Sequence, residues 1–169
     1  QAGDCAPAQL CAALAILEDM GLRVDRDDAA GILRVSRDHE LHAVGFQTDG
    51  YPGIATDLQS PLTVAMTQAR GLALIHETIF EGRLFFVDKL LKMGASAILC
   101  DPHRCVIDGP RKLRGTALES PDVRAGIALL IAAACAEGRS VVENIYQIDR
   151  GYERIEERLR SIGVRITRE

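Results

Sequence analysis

A repeat of about 70 residues constrains the fold of this chain more than any other feature of its sequence. Three segments read as a helix that ends in a hydrophobic residue and a glycine and then continues as a strand, at residues 17–24, 91–95 and 159–166. Their glycines, Gly21, Gly94 and Gly163, lie 73 and 69 positions apart. Glycine just past a helix end commonly forms a left-handed cap, so each copy predicts a helix stop, a reversal and a strand.

The best-defined period, residues 51–115, predicts the order helix, strand, helix, strand, strand. Ser60 and Pro61 suit the N-cap and first residue of a helix that runs to about Arg70. In the second helix, Phe86, Leu90 and Met93 form one apolar stripe at helical spacing. The predicted bounds are a strand at 72–77, a helix at 83–93 and hairpin strands at 97–100 and 105–108.

The flanking periods, about 1–50 and 116–169, predict parts of the same unit. The later period predicts a helix at 123–137, a strand at 140–143 and a helix at 152–161. In that last helix we expect Ile155, Leu159 and Ile162 to face inward, with Glu156 and Arg160 as an exposed ion pair. The earlier period is partial, with a helix at 7–20 and strands at 22–24 and 31–35. We therefore expect an α/β (α+β) fold, one lobe over 1–169, with two complete units and the tail of a third.

Composition excludes several classes of protein. With 47% hydrophobic and 26% charged residues and a net charge of −4, the chain has the profile of a globular domain and lacks the basic balance of a nucleic-acid binder. The longest apolar run, 125–136, is too short to span a membrane. Five cysteines at no regular spacing, at positions 5, 11, 100, 105 and 135, favour a reducing cytoplasm. The chain starts at Gln1 without a methionine, so we expect a piece of a longer protein.

Arginine accounts for 17 of the 20 basic residues, and it binds carboxylate and phosphate well. Three positions with arginines lie at or just before a predicted helix start: Arg83, the pair Asp122/Arg124 and the pair Asp149/Arg150. Helix N-termini attract anions, so these residues predict either an anion site or ordinary capping with surface ion pairs. Asp57, in a polar loop before a helix, is either a functional carboxylate or a turn residue.

A metal site is a weaker alternative. Cys100 and Cys105 flank a predicted turn that also holds Asp101 and His103. Two cysteines without a second pair make a poor zinc signature. We interpret this segment as a strand pair with small buried side chains. We interpret His39, His42 and His76 as structural or surface residues.

Five motifs in order resemble one family. They are Thr-Asp-Leu-Gln at 56–59, Glu-Thr-Ile-Phe-Glu with an arginine at 77–83, Lys-Met-Gly-Ala at 92–95, Asp-Val-Arg-Ala at 122–125 and Ile-Asp-Arg-Gly-Tyr-Glu-Arg-Ile at 148–155. Together they resemble the UDP-N-acetylglucosamine 1-carboxyvinyltransferases, the enolpyruvyl transferases of peptidoglycan synthesis. The shikimate-pathway carboxyvinyltransferases share the fold, and a non-catalytic relative used for binding or assembly is a further alternative.

The resemblance implies the C-terminal portion of a two-lobed protein. Each lobe is expected to be an inside-out α/β barrel of repeated βαβαββ units, with helices inside and sheets outside. The implied reaction transfers enolpyruvate from phosphoenolpyruvate to the 3-hydroxyl of UDP-N-acetylglucosamine, without a cofactor or metal, in the cytoplasm. The implied partner is the N-terminal lobe, because the family's mobile loop and its N-terminal lysine and arginine ligands match nothing here. The isolated chain is therefore expected to be inactive.

The same resemblance assigns roles to individual residues. Asp57 matches the carboxylate that hydrogen-bonds the sugar hydroxyl and is proposed as the base. Ile79 matches a residue that contacts the sugar nucleotide, with Phe80 beside it. Arg124 and Arg150 match arginines of the phosphoenolpyruvate and phosphate site, with Asp122 close by. Arg83 matches a further arginine at the cleft between the two lobes.

Overall fold

A computed structural model describes residues 7–169 as six α-helices and eight strands within that range. A 3-10 turn at Pro7–Leu10 leads into α1 (Cys11–Asp19), and the other helices are α2 (Thr56–Met66), α3 (Val87–Lys92), α4 (Val123–Cys135), α5 (Tyr146–Asp149) and α6 (Ile155–Ser161). The strands are β1 (Leu22–Asp27), β2 (Ile32–Arg37), β3 (Phe46–Gln47), β4 (Gly71–His76), β5 (Ser96–Asp101), β6 (Arg104–Gly109), β7 (Ala117–Glu119) and β8 (Val141–Glu143).

The strands form three separate sheets. β1 and β2 make an antiparallel pair, and β7 and β8 make a parallel pair. The sheet between them has the order β3-β4-β6-β5, in which β3 and β4 are parallel and the hairpin β5–β6 runs antiparallel to β4. The segment from β3 to β6 is therefore one full βαβαββ unit, which confirms the fold class expected for the chain.

The helices α2 and α4 lie inside and the sheets outside. α2 and α4 pack against each other, and most of α4 is buried. Within α2, the polar side chains of Gln59 and Thr63 are also fully buried, and they bond to each other, with Gln59 donating to Thr63 at 2.9 Å. The outward faces of the strands stay accessible, with Leu72 69% and Ile98 68% exposed. Polar groups can be buried in α2 because they satisfy one another.

Two predictions of local structure are confirmed. The stripe of Phe86, Leu90 and Met93 is at most 2% exposed and forms part of the main core. Gly21, Gly94 and Gly163 have φ angles of 93°, 95° and 94°, as expected for left-handed caps.

The start of α2 differs from the prediction. The helix begins at Thr56 after the extended residue Ala55, so Ser60 is not its N-cap and Pro61 lies inside it. A proline there removes the N–H that would bond the carbonyl of Asp57 one turn earlier. The helix also ends at Met66 rather than near Arg70. Asp57 is consequently a residue of the first helical turn and not of a loop.

The end of the chain also differs. The helix predicted from 152 begins only at Ile155. Ile162 does not face inward but is 74% exposed. Arg160 donates to the carbonyl of Ile166 and does not pair with Glu156. No strand follows Gly163, so the period from 116 lacks the hairpin that closes the central unit, and the expectation of two complete units is wrong. An extended segment forms a stable strand only beside a partner that satisfies its backbone groups. The division into units at 1–50, 51–115 and 116–169 remains our proposal.

None of the helices described between residues 7 and 169 combines the length and the hydropathy needed to cross a membrane.

Candidate functional site

Asp57 is held by two arginines that come from different parts of the chain. Arg83 Nη1 donates to Asp57 Oδ1 at 3.2 Å, and Arg124 Nε donates to the same oxygen. Asp57 lies in the first turn of α2, Arg124 in the first turn of α4 and Arg83 in the turn before α3. Asp57 Oδ2 accepts no bond from the described residues, and the side chain is 58% exposed. One carboxylate oxygen is thus fixed while the other faces solvent.

The arginines set the charge state of this carboxyl. The hydrogen bond from Arg124 holds the pKa of Asp57 below its ordinary value of 3.8; partial burial opposes the shift, and Arg83 adds to it. Conversely, the hydrogen bond to Asp57 raises the pKa of Arg124. Asp57 is therefore ionised at neutral pH and is a weak proton acceptor while Arg124 remains bound to it.

Two hydrogen bonds and one aromatic contact hold the side chain of Arg83 in place. Besides Asp57, it donates from Nη1 to Thr56 Oγ1 at 2.9 Å, and its guanidinium carbon lies 4.2 Å from the ring centroid of Phe80. Only 18% of its side chain is exposed. A guanidinium stacked on an aromatic ring gains a cation–π contribution. Phe80 itself is 47% exposed and the neighbouring Ile79 44%, so both present apolar surface to solvent.

Asp122 caps α4 and thereby orients Arg124. Its Oδ1 accepts the backbone N–H groups of Arg124 at 2.7 Å and Ala125 at 2.9 Å. A carboxylate at an N-cap satisfies helix donors that have no partner within the helix. The capping interpretation of Asp122 is confirmed, and the cap fixes the backbone from which Arg124 reaches Asp57.

Arg150 lies on the same groove as Asp57 and Arg124. This groove of about 530 Å³ is also lined by Asp122 and by Tyr152. Arg150 donates to Gln147 at 3.2 Å and forms no ion pair with any carboxylate of residues 7–169, so its charge is available to an anion. Burial, and next the negative charge of Asp57, raise the pKa of the Tyr152 hydroxyl, which stays protonated at neutral pH.

Arg150 does not stand before a helix as the sequence predicts. It follows the short helix α5, whose last residue is Asp149, and Asp149 bonds the guanidinium of Arg168. The helix N-termini beside the groove are instead those of α2 and α4, because Asp57 and Arg124 lie in their first turns. The groove therefore combines two helix N-termini with two arginines from separate segments, Arg124 and Arg150.

Glu77 is a further organising residue that sequence analysis quoted without giving it a role. It is fully buried, and it accepts bonds from Thr48 Oγ1 at 3.0 Å and Thr56 Oγ1 at 2.7 Å. It also accepts the backbone N–H groups of Ile79 at 3.0 Å and Phe80 at 3.2 Å. This carboxylate thus ties the start of α2 to the loop that carries Ile79 and Phe80. A glutamate in a loop gives no sequence signal that distinguishes it from a surface one.

The hairpin residues considered for a metal have other roles. Cys105 is buried, and burial raises the pKa of its thiol to about 12. Asp101 accepts bonds from the N–H of His103 and from Arg104, and His103 Nδ1 lies 2.7 Å from the carbonyl oxygen of Glu77. Among residues 7–169, no three His, Cys, Asp or Glu side chains are placed to share a metal ion. Cys5 falls outside the described residues.

A family model described as EPSP synthase (3-phosphoshikimate 1-carboxyvinyltransferase) matches residues 4–159. The chain is 48% identical over 150 residues to the UDP-N-acetylglucosamine 1-carboxyvinyltransferase of Bradyrhizobium diazoefficiens, covering 86% of this chain and 35% of that protein. It is 62% identical over 121 residues to the same-named protein of Bacteroides thetaiotaomicron, covering 70% of this chain and 28% of that one. The chain thus spans about a third or less of these relatives.

Solved structures show the same fold. The enolpyruvyl transferase NikO from Streptomyces tendae superimposes with a TM-score of 0.83 at 30% identity, over 94% of this chain and 36% of NikO. EPSP synthase from Acinetobacter baumannii superimposes with a TM-score of 0.66 at 16% identity, over 94% of this chain and 37% of the other, which supports the fold alone.

Proposed function

We propose a function that proceeds from one premise: the chain belongs to the EPSP synthase (3-phosphoshikimate 1-carboxyvinyltransferase) family of enolpyruvyl transferases, and its similar relatives are UDP-N-acetylglucosamine 1-carboxyvinyltransferases. The chain is the C-terminal lobe of such an enzyme. Its role is to help transfer enolpyruvate from phosphoenolpyruvate to the 3-hydroxyl of UDP-N-acetylglucosamine in the cytoplasm, the first committed step of peptidoglycan synthesis. By this function it contributes to cell-wall biogenesis, cell shape and division.

One observation carries the proposal: Asp57 is bonded through one oxygen to Arg83 and Arg124, its other oxygen has no partner among the described residues, and the residue lines a groove that also holds Arg150. The reaction needs a base for the sugar hydroxyl and cations for the carboxylate and phosphate of the second substrate. Asp57 Oδ2 supplies the first, and Arg124 and Arg150 supply the second. Ile79 and Phe80 offer apolar contacts to the sugar nucleotide.

The ion pair couples substrate binding to the basicity of Asp57. Phenolic or alcoholic protons transfer poorly to a carboxylate whose pKa is depressed. When an anionic substrate binds Arg124, the hydrogen bond that depresses the pKa of Asp57 is lost, so Asp57 becomes a stronger base. The 3-oxygen then attacks C2 of phosphoenolpyruvate as its proton moves to Asp57 and C3 gains a proton. Loss of the C3 proton and of phosphate leaves the enolpyruvyl ether.

The chain supplies only part of the site. For the proton that C3 needs, this groove offers only the Tyr152 hydroxyl, whose raised pKa makes it a weak acid, and lobes of this kind must close to exclude water. We propose that an N-terminal lobe provides the acid and the remaining phosphate ligands. The 169-residue chain alone is therefore expected to show no turnover.

Phosphate release from phosphoenolpyruvate tests the proposal in a complete enzyme that contains this lobe. We expect release with UDP-N-acetylglucosamine and none with 3-phosphoshikimate. Release with 3-phosphoshikimate instead would place the chain in the shikimate branch. No release with either acceptor, together with no binding of phosphoenolpyruvate, would favour a non-catalytic relative.

A further inference from the structure

The turn between β5 and β6 holds both ends of the loop at 77–82, which follows β4. At the start of the loop, the N–H of Glu77 donates to the carbonyl of His103 at 2.7 Å. At its end, the N–H of Gly82 donates to the carbonyl of Pro102 at 3.3 Å. Both ends of the loop are therefore bonded to the two residues of a single turn.

The imidazole of His103 adds a third bond between the turn and the loop. Its Nδ1 lies 2.7 Å from the backbone carbonyl oxygen of Glu77. A carbonyl oxygen only accepts hydrogen bonds, so Nδ1 carries a proton and donates it. Since the N–H of Glu77 bonds the carbonyl of His103 in the opposite direction, the two residues are paired by two hydrogen bonds.

Asp101 fixes the turn from which His103 reaches the loop. Its Oδ1 accepts the backbone N–H of His103 at 2.8 Å, and its Oδ2 accepts Arg104 Nε at 2.7 Å. Aspartate side chains commonly stabilise turns through such bonds. Because Asp101 ends β5 and Arg104 begins β6, the support for His103 belongs to the central sheet.

Ile79 and Phe80 lie between the two bonded ends of the loop, and both side chains are partly exposed. Their backbone N–H groups bond Oε1 of Glu77, which fixes the middle of the loop as well. A loop that is ordered in advance loses less conformational entropy when a ligand binds to it. The apolar surface of this loop is thus held ready for a ligand by contacts on its far side.

We propose that His103 is a positioning residue for the acceptor substrate. It holds the loop at 77–82 so that Ile79 and Phe80 are preorganised to contact the sugar nucleotide. The identity of that ligand rests on the proposed function, whereas the bond between His103 and the loop does not. His103 does not line the groove of Asp57 and Arg150, so its loss should spare the phosphoenolpyruvate side of the site.

Steady-state kinetics of a complete enzyme that contains this lobe test the effect on each substrate. In His103→Ala we expect the KM for UDP-N-acetylglucosamine to rise by at least about fivefold, with kcat and the KM for phosphoenolpyruvate changed by less than about twofold. In His103→Asn the side-chain amide donates from nearly the position of Nδ1, so the KM should return to within about twofold of the unmodified enzyme.

His39→Ala is the matched control, because this histidine is exposed and lies outside the turn and the loop. It should leave kcat and both KM values unchanged. A fall in kcat without a change in KM, an equal rise of both KM values, or the absence of rescue in His103→Asn would overturn the proposal.

Amide hydrogen exchange of the 169-residue chain separates this inference from the proposed function. In His103→Ala, exchange at Glu77 and Gly82 should be faster by at least about tenfold while exchange in the middle of β6 stays unchanged, because the opening is local. Unchanged rates at both amides, or equal acceleration along β6, would contradict the role of His103. If the unmodified complete enzyme does not use UDP-N-acetylglucosamine, the proposed function is wrong, and these exchange rates still decide whether His103 holds the loop.

Discussion

At the scale of single residues, the pair Asp57–Arg124 decides how the site responds to pH. The pKa of Asp57 is depressed in the folded state, mainly by Arg124. Its contribution to stability is therefore present above the ordinary value of 3.8 and is lost as the pH falls through the lower folded pKa. Because the side chain is exposed, we expect a small effect.

Urea unfolding of the chain and of Asp57→Asn measures that contribution. The difference in free energy of unfolding should be constant from about pH 7 to about pH 5 and should shrink toward zero at lower pH, since both proteins are then neutral at this position. A difference that grows on acidification would contradict the assigned direction of the pKa shift.

Asp57→Asn also tests the role of the base. In a complete enzyme we expect kcat to fall by roughly 10²- to 10⁴-fold while the KM for both substrates changes little, because an amide cannot accept the hydroxyl proton. Steady-state kinetics measure both quantities. An unchanged kcat would remove Asp57 from the reaction.

Glu77→Gln tests the organising carboxylate separately from Asp57, the proposed base. An amide cannot accept on both of its atoms, so at least one of Thr48 and Thr56 loses its acceptor in the core. We expect a loss of about 2 kcal/mol in the free energy of unfolding, measured by urea denaturation. Glu81→Gln, at an exposed position nearby, should change stability by less than about 0.5 kcal/mol. Equal effects of the two substitutions would mean that burial of Glu77 does not matter.

These residues also show the limits of sequence reasoning. Motif resemblance and places near helix starts point to Asp57, Arg124 and Arg150, and the structure puts these three on one groove. Arg83, indicated in the same way, does not line the groove but bonds Asp57. Their geometry could not be predicted, because the contact between Asp57 and Arg124 spans 67 positions and depends on how α2 packs on α4. Glu77 had no role in the prediction because burial is a property of the fold.

At the scale of elements, local rules predicted most helices and strands but not their ends. Glycine caps at Gly21, Gly94 and Gly163 mark helix ends correctly because the left-handed conformation is intrinsic to glycine. Pro61 misled the prediction of α2, since the core on both sides of the proline holds the helix together despite one missing bond. β3, only two residues long, is too short to show a period of two.

Gly126 tests the close approach of α4 to its neighbours. A Cβ at this position would lie 2.4 Å from Ser120 Oγ and 2.5 Å from Ile148 Cγ1. Although alanine favours helix, we expect Gly126→Ala to lower the free energy of unfolding by about 1–3 kcal/mol, because Ile148 must move. Thermal and urea unfolding measure the change. Gly50→Ala, where a Cβ meets nothing within 4 Å, is the control, and a stabilised Gly126→Ala would contradict the tight packing.

At the scale of the whole molecule, the repeat is both the strongest signal in the sequence and the source of the main error. It correctly predicted the order helix, strand, helix, strand, strand, to which the structure adds the short strand β3 at the start. It also predicted a strand after Gly163 that does not form. The residues at 164–169 have strand-like alternation, yet pairing depends on a neighbouring strand. Sequence periodicity reports what a segment can form and not whether its partner is present.

Turnover by the purified chain is a test at the same scale. We expect no phosphate release by the 169 residues alone and release when the chain is part of a complete enzyme. The matched control is the chain with phosphoenolpyruvate and no acceptor, which sets the background of hydrolysis. Release above that background by the isolated chain would show that one lobe suffices for catalysis.

The burial of α2 and α4 has a consequence for inhibitor resistance. Both helices form the interior of the lobe, and their first turns carry Asp57 and Arg124. A change in the volume of a core side chain such as Leu129 alters the spacing of these helices and so the gap between carboxylate and guanidinium. Substitutions deep in the interior, out of reach of any inhibitor, could therefore lower the affinity for a compound that binds at the groove.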